Sequence, residues 1–141
     1  MSLETTLILL KPDCVKKMQC GEVIKRFEAE GFKIRGTKML EMSNELLNEH
    51  YAHIAGESFF PNVIEFMTSS PIIAMALEGE DVIRRIRDLL GPTDSTKADP
   101  GTIRGDLGVN TKSNVCHASD SPESAEVELK RFFSEGEIFS Y

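Results

Sequence analysis

Apolar residues form two nearly continuous runs along the chain, at residues 6–10 and 72–77. Runs of this length are typical of central strands whose two faces are both buried. Residues 32–40 alternate instead between apolar and polar side chains, which predicts a strand with one face exposed to solvent. A short fourth strand is expected near residues 115–118.

Apolar side chains at helical spacing predict five helices between and after these strands. Gly31 and Gly91 indicate where two of these helices end. Ser43 is a candidate N-terminal cap, and Ser121, which precedes a proline, indicates where the last helix begins. The apolar positions are, in chain order, Val23, Ile24 and Phe27; Leu47, Tyr51 and Ile54; residues 62–67; Val82, Ile86, Leu89 and Leu90; and Ala125, Leu129, Phe132 and Phe133.

The elements follow one another as strand, helix, strand, helices, strand, helix, strand, helix. This order predicts an α+β fold of the ferredoxin-like (split βαβ) type, a four-stranded antiparallel sheet with helices packed over it. A chain of 141 residues with 40% hydrophobic residues corresponds to about one domain. Because no repeat or linker divides the chain, residues 1–141 are expected to form a single domain.

Residues 92–114 show little periodicity and are rich in Gly, Asp, Thr and Lys. We expect them to form a loop without regular structure. Loops of this length are uncommon in compact domains and are usually functional or disordered. Here the prediction is a functional loop.

The composition limits the function classes. A formal net charge of −7 argues against stable nucleic-acid binding, which needs a broad basic field, but a few focused cations suffice for a polyphosphate. No apolar run approaches the roughly 18 residues of a membrane span, and the N-terminus lacks a signal-peptide layout. The three cysteines have no metal-binding spacing. We therefore expect a cytoplasmic protein with reduced thiols and no membrane span.

A cation, an amide, an imidazole, a hydroxyl and a carboxylate gather at the end of the long loop, in Arg104, Asn114, His117, Ser119 and Asp120. Near neutral pH a histidine serves as nucleophile, general base or metal ligand. A lone histidine does not distinguish these roles, and it is often only hydrogen-bonded to its neighbours.

Glu128 lies on the border of the apolar stripe of the last helix. A carboxylate in that position needs a partner or must bend out to water. The imidazole or hydroxyl of the preceding turn, where Ser119 lies, is a candidate partner.

Four further residues allow both a functional and an ordinary interpretation. Lys11 ends the first buried strand, where it either points into a cleft or meets solvent. Arg87 flanks the apolar stripe of its helix, so of the arginines there it is best placed to reach a site, although such charges often only solvate a helix. Phe59 and Phe60 offer an aromatic face to a base, or belong to the core, or divide these roles.

Familiar nucleotide signatures are missing: the sequence has no GxxxxGK[ST] loop, no GxGxxG fingerprint and no protein-kinase signature. Four segments nevertheless resemble the nucleoside diphosphate kinase family closely. They are Lys-Pro-Asp at 11–13, Phe-Phe-Pro at 59–61, Pro-Gly-Thr-Ile-Arg-Gly-Asp at 100–106 and His-Ala-Ser-Asp-Ser at 117–121. The resemblance runs in register through about residues 4–139, and the short C-terminal tail is more similar to that of bacterial members.

The resemblance implies transfer of the terminal phosphate between nucleoside tri- and diphosphates, including ATP, with little base selectivity. His117 matches the histidine that is phosphorylated in a ping-pong cycle, and Glu128 and Ser119 match the residues that orient it. The residues that match those holding phosphates and sugar hydroxyls are Lys11, Tyr51, Arg87, Thr93, Arg104 and Asn114, and Lys11 also counts as catalytic. Phe59 matches the ring on which the base stacks, and Val63 matches the neighbouring apolar position.

Mg²⁺ is implied as a cofactor that the nucleotide phosphates carry, with no metal ligand on the protein. The family also implies a homo-oligomer, a tetramer or hexamer built from dimers. Two departures from the family pattern concern the loop. Ala118 stands where the family usually has glycine, which would matter if the turn needed positive φ, and residues 111–113 differ where an arginine often precedes the asparagine.

Two other functions remain open from the residues alone. One is a ferredoxin-like module that binds nucleotides without turnover, for example because Ala118 misplaces the imidazole. The other is a regulatory nucleic-acid binder, which the acidic composition disfavours.

Overall fold

The computed structural model describes residues 2–141. Its strands are β1 (Leu3–Leu10), β2 (Lys33–Leu40), β3 (Ile72–Glu80) and β4 (Cys116–Ala118). Its helices are α1 (Pro12–Lys16), α2 (Cys20–Ala29), α3 (Asn44–His50), α4 (Phe60–Met67), α5 (Val82–Leu90), α6 (Ile103–Leu107) and α7 (Pro122–Phe132). None of the helices within these residues is long and apolar enough to cross a bilayer.

The four strands form one sheet in the order β2-β3-β1-β4, and each neighbouring pair is antiparallel. This confirms the predicted α+β, ferredoxin-like architecture. The two continuous apolar runs lie in β1 and β3, the two inner strands. The alternating segment is β2, an edge strand whose side chains are partly exposed, as expected.

Side chains of β1 alternate between two cores, one on each face of the sheet. Ile8 and Leu10 pack with apolar side chains of α2 and α5. Leu7 and Leu9 pack on the other face with side chains of α3, α4 and the end of α7. All four leucine and isoleucine side chains are fully buried, so helices cover both faces and leave no polar position in this part of the strand.

Several boundaries differ from the sequence prediction. The segment 92–114 is not free of regular structure, because it contains a 3₁₀ turn at Ser95–Lys97 and helix α6. The side chain of Thr102 caps α6 by accepting a hydrogen bond from Gly105 N. Helices α1 and α6 each have only five residues, which is too short to show a periodic apolar pattern.

Three other helices have different ends than predicted. Helix α3 stops at His50, so Tyr51 is its C-terminal cap and Ile54 lies in a separate 3₁₀ turn, Ala52–Ile54. Helix α4 begins at Phe60 rather than at residue 62. Helix α7 ends at Phe132, and Phe133 follows in an extended conformation while staying buried.

Val115 adopts a left-handed backbone with φ of +78° directly before β4. A β-branched residue is strained in this region, so its neighbours must impose it. Asp13 Oδ2 accepts a hydrogen bond from Val115 N at 2.9 Å, and Val115 O accepts one from Lys11 N at 2.9 Å. The segment after β1 therefore clamps the segment that enters β4.

We expect Asp13→Ala to lower the free energy of unfolding by about 1–3 kcal/mol, because it leaves the buried N–H of Val115 without an acceptor. Asp13→Asn keeps an acceptor oxygen and should cost less. Denaturant unfolding of the three proteins measures the difference. Equal losses in both variants would show that the hydrogen bond to Val115 does not account for the role of Asp13.

Candidate active site

A cleft of about 1140 Å³ opens beside β4, between the ends of α3 and α7, helix α4 and the long loop. Volumes of this order suit a nucleotide-sized ligand. All the sequence-predicted site residues except Ser119 line this cleft: Lys11, Tyr51, Phe59, Val63, Arg87, Thr93, Arg104, Asn114, His117 and Glu128. Ser119 lies behind the cleft wall and is fully buried.

His117 is the middle residue of β4 and pairs with Leu9 of β1. Its flanking residues Cys116 and Ala118 are buried, while His117 is only partly buried because alternate residues of a strand face opposite sides. Its ring nitrogen Nε2 lies 2.7 Å from Oε1 of Glu128 on α7. The register of the short strand thus directs the imidazole towards the last helix.

Ser119 completes a chain of hydrogen bonds behind this pair. Its Oγ donates to Oε1 of Glu128 at 2.9 Å and accepts from Leu7 N at 3.3 Å. The predicted contact of Glu128 with the imidazole and the hydroxyl is therefore present in the structure. One carboxylate oxygen joins α7 to β4 and, through Ser119, to β1.

Glu128 is held in its ionised form. Burial by itself raises the pKa of the carboxyl group, but the hydrogen bonds and charge of His117 and the hydrogen bond of Ser119 outweigh it and lower the pKa below its ordinary value. An ionised carboxylate only accepts, so Nε2 of His117 carries the proton that it donates. The neutral ring then has its lone pair on Nδ1, and no group within residues 2–141 hydrogen-bonds to that nitrogen.

Lys11 lies at the end of β1 with its side chain turned into the cleft, which favours the functional interpretation over a solvent-exposed lysine. It is 9% exposed, and its Nζ donates to Asn114 Oδ1 and to Lys112 O, both at 2.8 Å. Burial lowers the pKa of Lys11 to about 8. Asn114 is itself buried and donates from Nδ2 to Thr93 O at 3.0 Å, so it fixes both Lys11 and the loop.

Arg104 extends from α6 and cross-links the loop. Its three nitrogens donate to carbonyl oxygens of Asn114 at 3.1 Å, Gly91 at 3.1 Å and Cys116 at 2.7 Å. Burial lowers the pKa of this guanidinium. Arg104 therefore shapes the cleft as well as contributing charge to it. Arg87 differs, because no group among residues 2–141 forms a hydrogen bond or ion pair with its side chain.

Aromatic groups form the opposite wall. Phe59 is 48% exposed and lies at the cleft, whereas the adjacent Phe60 is 4% exposed and belongs to the interior, so the pair divides as one of the sequence alternatives proposed. Val63 follows one turn later on α4. Burial raises the pKa of Tyr51 to about 12, so its hydroxyl keeps its proton at neutral pH.

Ala118 does not need a left-handed backbone. It lies within β4, pairs with Ile8 and is not among the residues with positive φ in the described chain. Ala118 is 7% exposed, so its side chain is accommodated in the interior without a left-handed backbone. The physical reason to suspect a misplaced imidazole is therefore removed.

Sequence reasoning did not single out several residues that line the cleft, among them His50, Lys112 and Arg131. Lys112 belongs to the segment 111–113 that departs from the family pattern, and its backbone oxygen holds Lys11. His50 and Arg131 are 81 positions apart yet hydrogen-bonded at 2.9 Å. Spacing along the chain contains no signal for such a pair.

Cationic side chains make the cleft complementary to an anionic ligand. Lys11, Arg87, Arg104, Lys112 and Arg131 all line it. No group of three or more histidine, cysteine, aspartate or glutamate side chains within residues 2–141 could hold a metal ion.

The fold and the cleft define a class of protein: an α+β domain in which a carboxylate orients a histidine inside a cation-lined, nucleotide-sized site. A family model described as nucleoside diphosphate kinase matches residues 4–138. The nucleoside diphosphate kinase of Staphylothermus marinus is 50% identical over 141 residues, with 100% of each chain covered. The chain therefore belongs to the nucleoside diphosphate kinase family of enzymes.

Other relatives show the same likeness. Nucleoside diphosphate kinase II, chloroplastic, of Arabidopsis thaliana is 48% identical over 136 residues, which are 96% of this chain but only 59% of the plant protein. A halophilic nucleoside diphosphate kinase from Halobacterium salinarum, solved in complex with CDP, has a TM-score of 0.95 at 38% identity, with 99% and 93% of the chains covered. The Aquifex aeolicus nucleoside diphosphate kinase has a TM-score of 0.93 at 43% identity, with 98% and 100% covered.

The buried lysine predicts a pH dependence of nucleotide binding. Because the pKa of Lys11 is lowered to about 8, its charge is present below that pH and is lost as the pH rises through it. The affinity for a nucleoside diphosphate should fall about tenfold between pH 7 and pH 9 if only the charged form binds. Calorimetric titration at constant ionic strength measures this. Lys11→Arg should flatten the dependence, and an equally steep fall in that variant would assign it to another group.

Proposed function

We propose that this protein transfers the terminal phosphate of a nucleoside triphosphate to a nucleoside diphosphate by a ping-pong mechanism, through a phosphohistidine at His117. The observation that carries the proposal is the contact of 2.7 Å between Nε2 of His117 and Oε1 of Glu128. It leaves Nδ1 as the free nucleophilic nitrogen in a cleft lined by cations. Family membership supports the same reaction.

In the first half-reaction Nδ1 attacks the γ-phosphorus of the triphosphate. A nitrogen–phosphorus bond forms, the bond between that phosphorus and the bridging β–γ oxygen breaks, and the nucleoside diphosphate leaves with the electron pair. The ring gains positive character, which the ionised Glu128 stabilises at Nε2. The second half-reaction reverses these events with another diphosphate as acceptor, so one site serves both nucleotides in turn.

Charge on the transferring group spreads over its equatorial oxygens, so fixed cations lower the barrier. Arg87 is the cation best suited to meet the phosphates, because its side chain has no partner among residues 2–141. Lys11 adds a desolvated charge next to β4, and Arg104 adds charge while it holds the loop. We assign Tyr51, Thr93 and Asn114 to the remaining phosphate and sugar contacts.

The base would stack on Phe59, with Val63 as its apolar neighbour. Stacking uses the face of the ring system, which every base has, and not its hydrogen-bonding edge. A site of this kind binds through ribose and phosphates and tolerates different bases. Little base selectivity follows.

We propose that Mg²⁺ is carried into the cleft by the nucleotide phosphates, whose oxygens are the ligands that this cation prefers. When bound, it would neutralise charge on the β- and γ-phosphate oxygens. We further propose that residues 1–141 act as a single nucleoside diphosphate kinase domain in the cytoplasm. A homo-oligomer built from dimers, tetrameric or hexameric, is part of the same proposal.

Incubation with γ-labelled ATP and Mg²⁺ should place acid-labile label on the protein, and a different nucleoside diphosphate should then remove it. His117→Ala should abolish the label while the protein still binds nucleotide. Label that persists in His117→Ala would show that another residue is the nucleophile. Nucleotide binding by the native protein without any transferable label would support a module that binds without turnover.

Glu128→Gln should slow phosphoryl transfer on the order of 10²-fold with little loss of stability, since an amide neither carries the charge nor imposes one orientation on the imidazole. Single-turnover phosphorylation measures the rate, and thermal unfolding measures the stability. Glu126→Gln on the same helix, where the side chain is exposed and pairs with Lys130, is the matched control and should keep the native rate. A native rate in Glu128→Gln would exclude the orienting role.

A further inference from the structure

His50, the last residue of α3, lies in the wall of the cleft and is enclosed by aromatic rings. It is 7% exposed and meets three rings edge-to-face, those of His117 at 4.7 Å, Tyr51 at 4.8 Å and Phe132 at 5.2 Å between centroids. The ring planes of His50 and His117 are inclined at 81°. An edge-to-face neighbour at this distance restricts rotation of the imidazole that it contacts.

Arg131 of α7 determines the state of the His50 ring. Its Nη1 lies 2.9 Å from Nδ1 of His50, and its Nε lies at an ion-pair distance of 3.3 Å from Oε1 of Glu49. An arginine only donates hydrogen bonds, so Nδ1 of His50 must be the acceptor and the ring proton must reside on Nε2. A protonated ring would lose this hydrogen bond and face the guanidinium as a like charge.

The charged groups around His50 shift its pKa in opposite directions. Burial comes first and lowers the pKa of His50 well below its ordinary value, and His117, Arg131 and His53 lower it further, whereas Glu128 raises it. Glu49, the residue before His50, forms an ion pair with Arg131. The surroundings therefore agree with the hydrogen bond in keeping this ring neutral.

We propose that His50, locked by Arg131 as the neutral Nε2–H tautomer, is a positioning residue that holds the ring of His117 in its attacking orientation. Glu128 fixes His117 at Nε2, and His50 fixes the plane of its ring. The lock also occupies Nδ1 of His50, so only one imidazole of the adjacent pair has a free nucleophilic nitrogen. The role in phosphoryl transfer rests on the function proposed above, but the state of the His50 ring does not.

Two variants distinguish the contribution of the His50 ring from that of its hydrogen bond with Arg131. His50→Gln keeps an oxygen that can accept from Arg131 but removes the ring, and should slow single-turnover phosphorylation of His117 roughly tenfold or more at an unchanged nucleotide KM. His50→Phe keeps an aromatic ring in the same position while Arg131 stays in place, and should slow the same step less than His50→Gln. A native rate in His50→Gln, or a His50→Phe variant as slow as His50→Gln, would overturn the positioning role.

Imidazole ¹⁵N NMR of the nucleotide-free protein tests the lock independently of turnover. The His50 signal should show the neutral Nε2–H tautomer from pH 5 to pH 8, and Arg131→Leu should allow the Nδ1–H tautomer to appear as well, whereas Arg131→Lys should preserve the Nε2–H tautomer. Protonation of native His50 in this range, or a proton on Nδ1, would overturn the proposal. Failure of the native protein to form phosphohistidine would refute the proposed function instead, with the NMR result still deciding the lock.

Discussion

The carboxylate of Glu128 is the interaction on which the site depends. Its Oε1 accepts from both His117 and Ser119, and Ser119 in turn accepts from the backbone of β1 at Leu7. A helix, an edge strand and a central strand therefore meet at one oxygen atom. The antiparallel register that places His117 opposite Leu9 is a requirement of this contact, because a shift by one residue would turn the imidazole to the other face of the sheet.

The same contact illustrates how a buried charge is tolerated here. Removing a carboxylate from water is costly unless its lone pairs are used, and Glu128 accepts hydrogen bonds from His117 and Ser119. The charge of Lys11 is less well compensated than that of Glu128. Its Nζ donates to the side chain of Asn114 and to a backbone oxygen, but burial still lowers its pKa to about 8. The negative charge of a polyphosphate would offset the cost of burying the charged form of Lys11. Cations that lack a negatively charged partner within residues 2–141 therefore favour an anionic ligand in this site.

Much of the fold could be predicted because its signals are local. The apolar runs of β1 and β3 are continuous since both faces of these strands are buried, and Ser43 and Ser121 cap the helices expected of them. Glu128 could be suspected from its place on the border of a stripe. The left-handed Val115 could not, because no glycine marks it and the strain is imposed by Asp13 from a distant segment. Short helices such as α6 also fall below the length at which periodicity is visible.

The pair of His50 and Arg131 shows why the remainder of the site lay outside sequence reasoning. Neither residue belongs to a recognisable motif, and their contact exists only because α3 and α7 pack on the same face of the sheet. Once that packing is known, elementary chemistry constrains the pair: a guanidinium donates, so the imidazole must accept and remain neutral. His117 is then contacted from two directions, by the carboxylate of Glu128 at Nε2 and by the ring of His50 in a T-shaped arrangement. In the proposed mechanism, orientation of the nucleophile therefore depends on how two helices pack, and a motif search restricted to the histidine segment would find only one of the two contacts.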